Sequence, residues 1–165
     1  MRQIEIIDNA FSVEQFAKMA DLAMGDQLPW YFNDWVVSDK NEQMYDCQFT
    51  HVLFRNNNWY SNSLEHFSPV FDFLNAKQLL KVKLNCTMWA DSLVEHGLHI
   101  DVWEETAFTA ILYFNTNNGY TRFENGQKVE SVANRLVLFP SQINHTGTNC
   151  TDAKRRVVLN VNYLP

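Results

Sequence analysis

From Leu79 to the end of the chain, apolar residues come in short runs and alternating patterns: Leu79 to Trp89, Ala107 to Phe114, Tyr120 to Phe123, Leu136 to Phe139 and Val157 to Tyr163. A period of two fits a half-buried strand and not a helix. Turn signals at Asn117-Asn118-Gly119 and Glu124-Asn125-Gly126 predict hairpins between these runs. Because the strands follow one another and do not alternate with helices, they predict an antiparallel sandwich or barrel. Ahead of them, Ile4 to Ile7 reads as a short strand. Ser12-Val13-Glu14-Gln15 reads as a capping box that opens a helix with Phe16, Met19, Ala20 and Ala23 on one face. A second helical stretch carries Leu64, Phe67, Phe71 and Leu74, with Ser68-Pro69 as its cap and first-turn proline. The expectation is a mainly β chain forming one domain over 1–165, with helical support over about 1–78 and a β core over about 79–165.

Composition narrows what such a domain can do. The chain has 165 residues, 46% hydrophobic and 19% charged, which is enough apolar material for a packed core. Its formal net charge of -6 argues against a general nucleic-acid binder, so no nucleic-acid partner is expected. No segment approaches the roughly 20 apolar residues of a membrane span, and the opening MRQIEIIDNAF lacks the apolar core of a leader. Cys47, Cys86 and Cys150 are far apart and form no CxxC, which predicts neither a disulfide framework nor a zinc knuckle and makes the cytoplasm the expected compartment.

The stretch GLHIDVW, Gly97 to Trp103, carries the first chemical signal. In an extended segment, His99 and Asp101 point to the same side, which suits two donors reaching one metal ion and equally suits an ion pair. His145, just after the run Leu136 to Phe139, can be brought beside them by an antiparallel barrel. Of the other histidines, His51 and His66 read as ordinary, partly exposed residues, and His96 shares the loop of His99. Two histidines and one carboxylate on one face of a metal leave the opposite positions open, as in non-haem iron oxygenases. The same set could hold zinc for hydrolysis, so the triad by itself leaves both chemistries standing.

The last run bears on the choice. In Arg155 to Tyr163, alternation puts Val157, Leu159 and Val161 on one face and Arg156, Val158, Asn160 and Asn162 on the other. If the apolar set faces the core, Arg156, and not Arg155, looks into a polar pocket. The formal charges of Fe(II), Asp101, a dicarboxylate and Arg156 cancel. Without the arginine, the far carboxylate would be buried unpaired, at a cost of several kcal/mol. The guanidinium fork matches that carboxylate with paired hydrogen bonds, and the cosubstrate implied is 2-oxoglutarate.

His99-Ile100-Asp101, Thr109 to Asn115, Gly119-Tyr120-Thr121-Arg122-Phe123, Arg135 to Pro140, His145 and Arg156 occur in an order that resembles the 2-oxoglutarate/Fe(II)-dependent dioxygenases, most closely their prolyl 4-hydroxylase-like branch with its small bacterial and phage members. The resemblance runs from about Leu79 to Tyr163 and is weaker in the N-terminal helix and at Pro29-Trp30-Tyr31. It implies a double-stranded β-helix of jelly-roll or cupin-like form, with His99, Asp101 and His145 as metal ligands and catalytic residues. It also implies Arg156 and Tyr113 on the distal carboxylate of 2-oxoglutarate, with Thr109 and Ile111 lining the pocket. The activity implied is hydroxylation of a C–H bond using Fe(II), 2-oxoglutarate and O2, with ascorbate as reductant. The substrate implied is a peptidyl prolyl or other protein residue, with a small molecule next. Asn118-Gly119 and Asn134-Arg135 depart from the family's usual turns. Asn85, Trp89 and Trp103 are candidate substrate contacts, with core packing as the alternative for the first two; Trp103 and the aromatic stretch Trp30 to Trp35 read as a lid over substrate or, alternatively, as the seal of a core edge. A cupin-like metal-binding protein without oxygenase activity and a zinc hydrolase are the competing readings.

Overall fold

The computed structural model describes residues 4–37 and 45–165; Met1 to Gln3, the start of the stretch read for a leader, lie outside them. The elements are β1 (Glu5–Ile7), α1 (Val13–Met24), β2 (Tyr31–Asn33), β3 (Gln48–Arg55), β4 (Asn58–Trp59), a 3-10 helix (Asn62–Phe67), α2 (Ser68–Phe73), β5 (Gln78–Met88), β6 (Phe108–Tyr113), β7 (Tyr120–Phe123), β8 (Lys128–Glu130), β9 (Leu136–Pro140), β10 (His145–Gly147) and β11 (Arg155–Leu164). The large sheet runs β1-β9-β6-β11-β5-β3-β2 with β4 added to β3, and the small one runs β10-β7-β8. Residues 95–99 lie along β10 through the antiparallel bridges Glu95 to Thr148 and His99 to His145, extending the small sheet. The chain passes repeatedly between the two sheets, which makes a double-stranded β-helix.

The parity of β11 sorts the interior. Val157, Leu159 and Val161 join the core between the large sheet and the helices, with Met19, Ala23 and Phe67. Val158 faces the other way, into the layer between the sheets, with Ile111, Tyr113, Phe123 and Phe139. Helix α1 starts as the capping box predicts: Ser12 Oγ accepts from the Gln15 N–H and Gln15 Oε1 accepts from the Ser12 N–H. Leu159 is fully buried on β11, the strand held between β6 and β5. Leu159→Ala is expected to lower the free energy of unfolding by roughly 2–5 kcal/mol, the usual cost of a core cavity, read from denaturant unfolding curves.

Several expectations need correction. Beyond the short strand expected at Ile4 to Ile7, the part read as helical support supplies β2 to β4, all of them in the large sheet with β1. Asn117-Asn118-Gly119 closes no hairpin: β6 pairs with β9 and β11, and β7 with β8 and β10, so this turn carries the chain from one sheet to the other. Only the second turn makes a hairpin, β7 to β8, with Gly126 in the left-handed region at φ +87. Ser68 is the first residue of α2 and not its cap; Phe67 stands at that position without a side-chain cap. Pro69 lacks an N–H, so the preceding turn cannot run on as one α-helix. It tightens into the 3-10 segment, which Ser61 caps by accepting from the Ser63 N–H.

Candidate active site and metal centre

His99, Asp101 and His145 converge, with ligand atoms that all lie within 4.8 Å of one another. Their approach follows from the sheets: the His99 N–H donates to the His145 carbonyl and the His145 N–H to the His99 carbonyl, both at 3.0 Å. His99 Nε2 lies 3.9 Å from Asp101 Oδ1, and His145 Nε2 lies 3.5 Å from Asp101 Oδ2. A metal with bonds of about 2.0–2.2 Å sets neighbouring donor atoms roughly 3–4 Å apart, so the spacing fits one ion. The imidazoles are also turned correctly. His99 Nδ1 is 3.2 Å from the Gly97 carbonyl and His145 Nδ1 is 3.2 Å from the Ile143 carbonyl. A carbonyl only accepts, so each Nδ1 carries the proton and each Nε2 keeps its lone pair for a metal.

Asp101 is held from behind. Its Oδ2 accepts from Asn160 Nδ2 at 2.9 Å and from Asn162 Nδ2 at 3.3 Å. Burial works against its ionisation, but the imidazoles of His145 and His99 when protonated, His145 foremost, and the charge of Lys81 outweigh it and hold the carboxyl well below the usual range. Burial first, then the charge of His145, push His99 down, which favours the neutral ligand form. Asn160 and Asn162 were legible only as pocket-facing by parity; their contact with Asp101, about 60 residues away, had no signal in the sequence.

The triad opens on a cavity lined among others by Asn85, Thr87, His96, Ile111, Thr121 and Arg156. Arg156 is 6% exposed. Its Nε donates to Ser131 Oγ at 2.7 Å, its Nη2 to Thr121 Oγ1 at 3.2 Å and its Nη1 to the Thr148 carbonyl at 3.4 Å. All of these acceptors are neutral, and among the described residues the guanidinium meets no carboxylate. Gly119 makes room for it, since a Cβ there would come 2.7 Å from Arg156 Cδ and 2.4 Å from the Asn149 carbonyl oxygen. Arg155 points away and donates to the Met24 carbonyl on the helix side.

Other residues singled out in the sequence are distributed more widely. Tyr113 is fully buried, donates to Thr121 Oγ1 at 2.8 Å, and lies with its ring centroid 5.4 Å from the Arg156 guanidinium carbon. Thr109 is outside the cavity lining; its Oγ1 accepts from Asn162 Nδ2 at 2.9 Å and pairs with Ser141, so it steadies the asparagine that steadies Asp101. Asn85 lines the cavity, and its Oδ1 is buried with no partner among the described residues. Trp89 does not line it: β5 ends at Met88, alternation stops there, and the exposed indole donates to the Thr151 carbonyl at 2.9 Å. Trp103 is 85% exposed and lines an outer groove beside Asp101. In the aromatic stretch, Trp30 packs against the core while Tyr31, Phe32 and Trp35 are exposed.

Sequence reasoning missed His96 and Lys83. His96 is buried in the cavity wall with Nδ1 2.8 Å from Asp46 Oδ1, and its Nε2 has no partner among the described residues. His51 is also buried, not partly exposed, with Nδ1 2.7 Å from the Pro29 carbonyl. Lys83 lines the cavity on the same β5 face as Asn85 and Thr87. Burial, then the charges of Lys81 and Arg55, bring its ammonium down to about 8 against the pull of Asp101.

The chain has the fold of 2-oxoglutarate/Fe(II) oxygenases and prolyl hydroxylases of known structure. It is similar to a Burkholderia pseudomallei oxidoreductase of the 2OG-Fe(II) oxygenase family, with a TM-score of 0.69, 12% identity, and coverage of 98% of this chain and 85% of that one. A Pseudomonas putida prolyl-4-hydroxylase gives a TM-score of 0.65 at 14% identity, covering 100% of this chain and 94% of that one. A Trichoplax adhaerens prolyl hydroxylase in complex with a hypoxia inducible factor oxygen degradation domain peptide fragment gives 0.68 at 15%, covering 97% and 83%. No family model and no curated protein matches the sequence. Among the described residues, no helix is long and apolar enough to cross a membrane.

Proposed function

We propose that this protein is a 2-oxoglutarate- and Fe(II)-dependent dioxygenase that hydroxylates a C–H bond of its substrate, with release of succinate and CO2. The observation that carries the reading is Arg156: a guanidinium with neutral acceptors only, buried in the same cavity as a His-Asp-His triad. A buried charge without a partner costs several kcal/mol, so the cavity is built for an anion. A zinc hydrolase or a cupin-type binder using the same triad gives that guanidinium nothing to pair with.

The Fe(II) and 2-oxoglutarate pair, when bound, supplies the oxidising chemistry. The chain supplies orientation. His99 and His145 would present Nε2 to the metal while the carbonyls of Gly97 and Ile143 lock the tautomers. Asn160 and Asn162 hold one oxygen of Asp101 and leave Oδ1 with no hydrogen bond. Arg156, set over Tyr113 and beside Thr121, would hold the far carboxylate of the dicarboxylate. Ile111 and Val158 give the cavity its apolar wall and limit water.

The substrate class proposed is a protein residue, peptidyl proline among them, or a small molecule; a solved neighbour holding a peptide supports the first. The test is succinate formation by the purified protein with Fe(II), 2-oxoglutarate, O2 and ascorbate as reductant. Succinate is expected to form slowly without substrate and faster when a substrate is supplied. Its absence with the metal shown to be bound would overturn the reading.

A further inference from the structure

The charge of the cavity is not balanced by the groups named so far. Fe(II), Asp101, the dicarboxylate and Arg156 cancel formally, and Lys83 then adds a positive charge in the same enclosure. Lys83 makes no ion pair and no side-chain hydrogen bond among the described residues. Asp101, whose charge reaches Lys83, is hydrogen-bonded by Asn160 and Asn162, and Asp46 gives its Oδ1 to His96 at 2.8 Å.

The position of Lys83 separates it from the dicarboxylate anchor. On β11, Arg156 pairs with Thr87, and Asn160 pairs with Lys83. Four residues of strand put the two cations roughly 13 Å apart along the sheet. Arg156 therefore marks one end of the cavity, and Lys83 stands beside the asparagine that holds Asp101, at the metal end.

A trail of charge leads there. Lys81 follows the same face of β5, and Arg55 pairs across from it on β3; neither makes an ion pair or a side-chain hydrogen bond among the described residues. Both line the outer groove that runs past Asp101 and Trp103. Glu104 lines the same groove with its Oε1 accepting from Thr106, so Arg55, Lys81 and Lys83 outnumber the two carboxylates there, Asp101 and Glu104. In a chain of net charge -6, this small local excess of positive charge draws anions to the cleft.

Resting on the oxygenase reading, we infer that the substrate carries a carboxylate, which enters along the Arg55 and Lys81 groove and is bound by Lys83 and the Asn85 amide beside the metal. A single carboxylate matches the single ammonium inside the cavity. The enclosed space of the cavity is only about 60 Å³, room for a few water molecules, so the carboxylate belongs to a small acid or to one acidic side chain that reaches in from the groove.

Matched pairs test this on the full-length protein loaded anaerobically with Fe(II) and 2-oxoglutarate. N-acetylproline against N-acetylprolinamide probes a free acid, and N-acetylglutamine amide against N-acetylglutamate amide probes an acidic side chain, with binding followed by calorimetry at low and high salt. We expect the acid of at least one pair to bind at least tenfold more tightly than its amide, with the preference shrinking at high salt. In Lys83→Met and Lys83→Gln the preference is expected to fall to about twofold or less. Equal binding of acid and amide, no binding of either acid, a preference that survives both substitutions, or binding of a short single-stranded oligonucleotide in place of the acids would each overturn the inference. Succinate release by the wild-type protein without substrate is measured in parallel. Its absence would count against the oxygenase reading, whereas the acid-to-amide ratio alone judges the carboxylate.

Discussion

His99→Ala or Asp101→Ala is expected to weaken Fe(II) binding by at least about 100-fold and to reduce succinate formation to background. Losing a residue that merely orients a ligand costs about 10–100-fold in metal affinity, and each of these substitutions deletes a donor atom itself. The three donors lie within 4.8 Å of one another on segments joined by paired backbone hydrogen bonds, so the two that remain are held in place and the third position is left open. Asp101→Ala removes in addition the only carboxylate of the triad, takes away the acceptor of the Asn160 amide and leaves the Asn162 amide with Thr109 Oγ1 alone. Anaerobic metal titration checks the first effect, and chromatographic assay of succinate checks the second. Wild-type affinity in either variant would remove these residues from the metal site.

Arg156→Leu should leave metal binding nearly intact while 2-oxoglutarate binding falls steeply. Truncating one partner of a buried, hydrogen-bonded charge pair costs about 2–5 kcal/mol, which corresponds to a rise in Kd of roughly 30-fold to several thousand-fold. Arg156→Lys is expected to recover only part of the loss, because an ammonium lacks the planar fork and cannot reach Ser131, Thr121 and the carboxylate together. Calorimetric titration of 2-oxoglutarate into the metal-loaded proteins gives the comparison. The arrangement around Gly119, where any Cβ meets Arg156 Cδ at 2.7 Å, shows how closely the fold is shaped to this one side chain.

The parts of this site that follow from alternation were legible in the sequence. Arg156, Val158, Asn160 and Asn162 share a face because strand side chains alternate, and β11 keeps a regular register with β6 throughout. The order of motifs likewise implied the winding of the two sheets. What failed depends on information that local pattern does not carry. Asn117-Asn118-Gly119 signals a reversal, but a turn does not specify which sheet the next strand joins. Trp89 was grouped with Asn85 and Thr87 by a periodicity that ends one residue earlier, at Met88. The pairing of His96 with Asp46 spans 50 residues with no shared motif, and Lys83 looked like any lysine in an amphipathic strand until β3 and β11 enclosed it.

The central claim is that one cavity holds a metal on His99, Asp101 and His145 and a dicarboxylate between that metal and Arg156. Linkage tests it most directly: the dissociation constant of 2-oxoglutarate is measured with and without Fe(II), and that of Fe(II) with and without 2-oxoglutarate, all anaerobically. Each ligand is predicted to tighten the other by the same factor, at least tenfold, and Arg156→Leu to abolish most of that coupling. Two ligands that bind with affinities independent of each other would contradict the account.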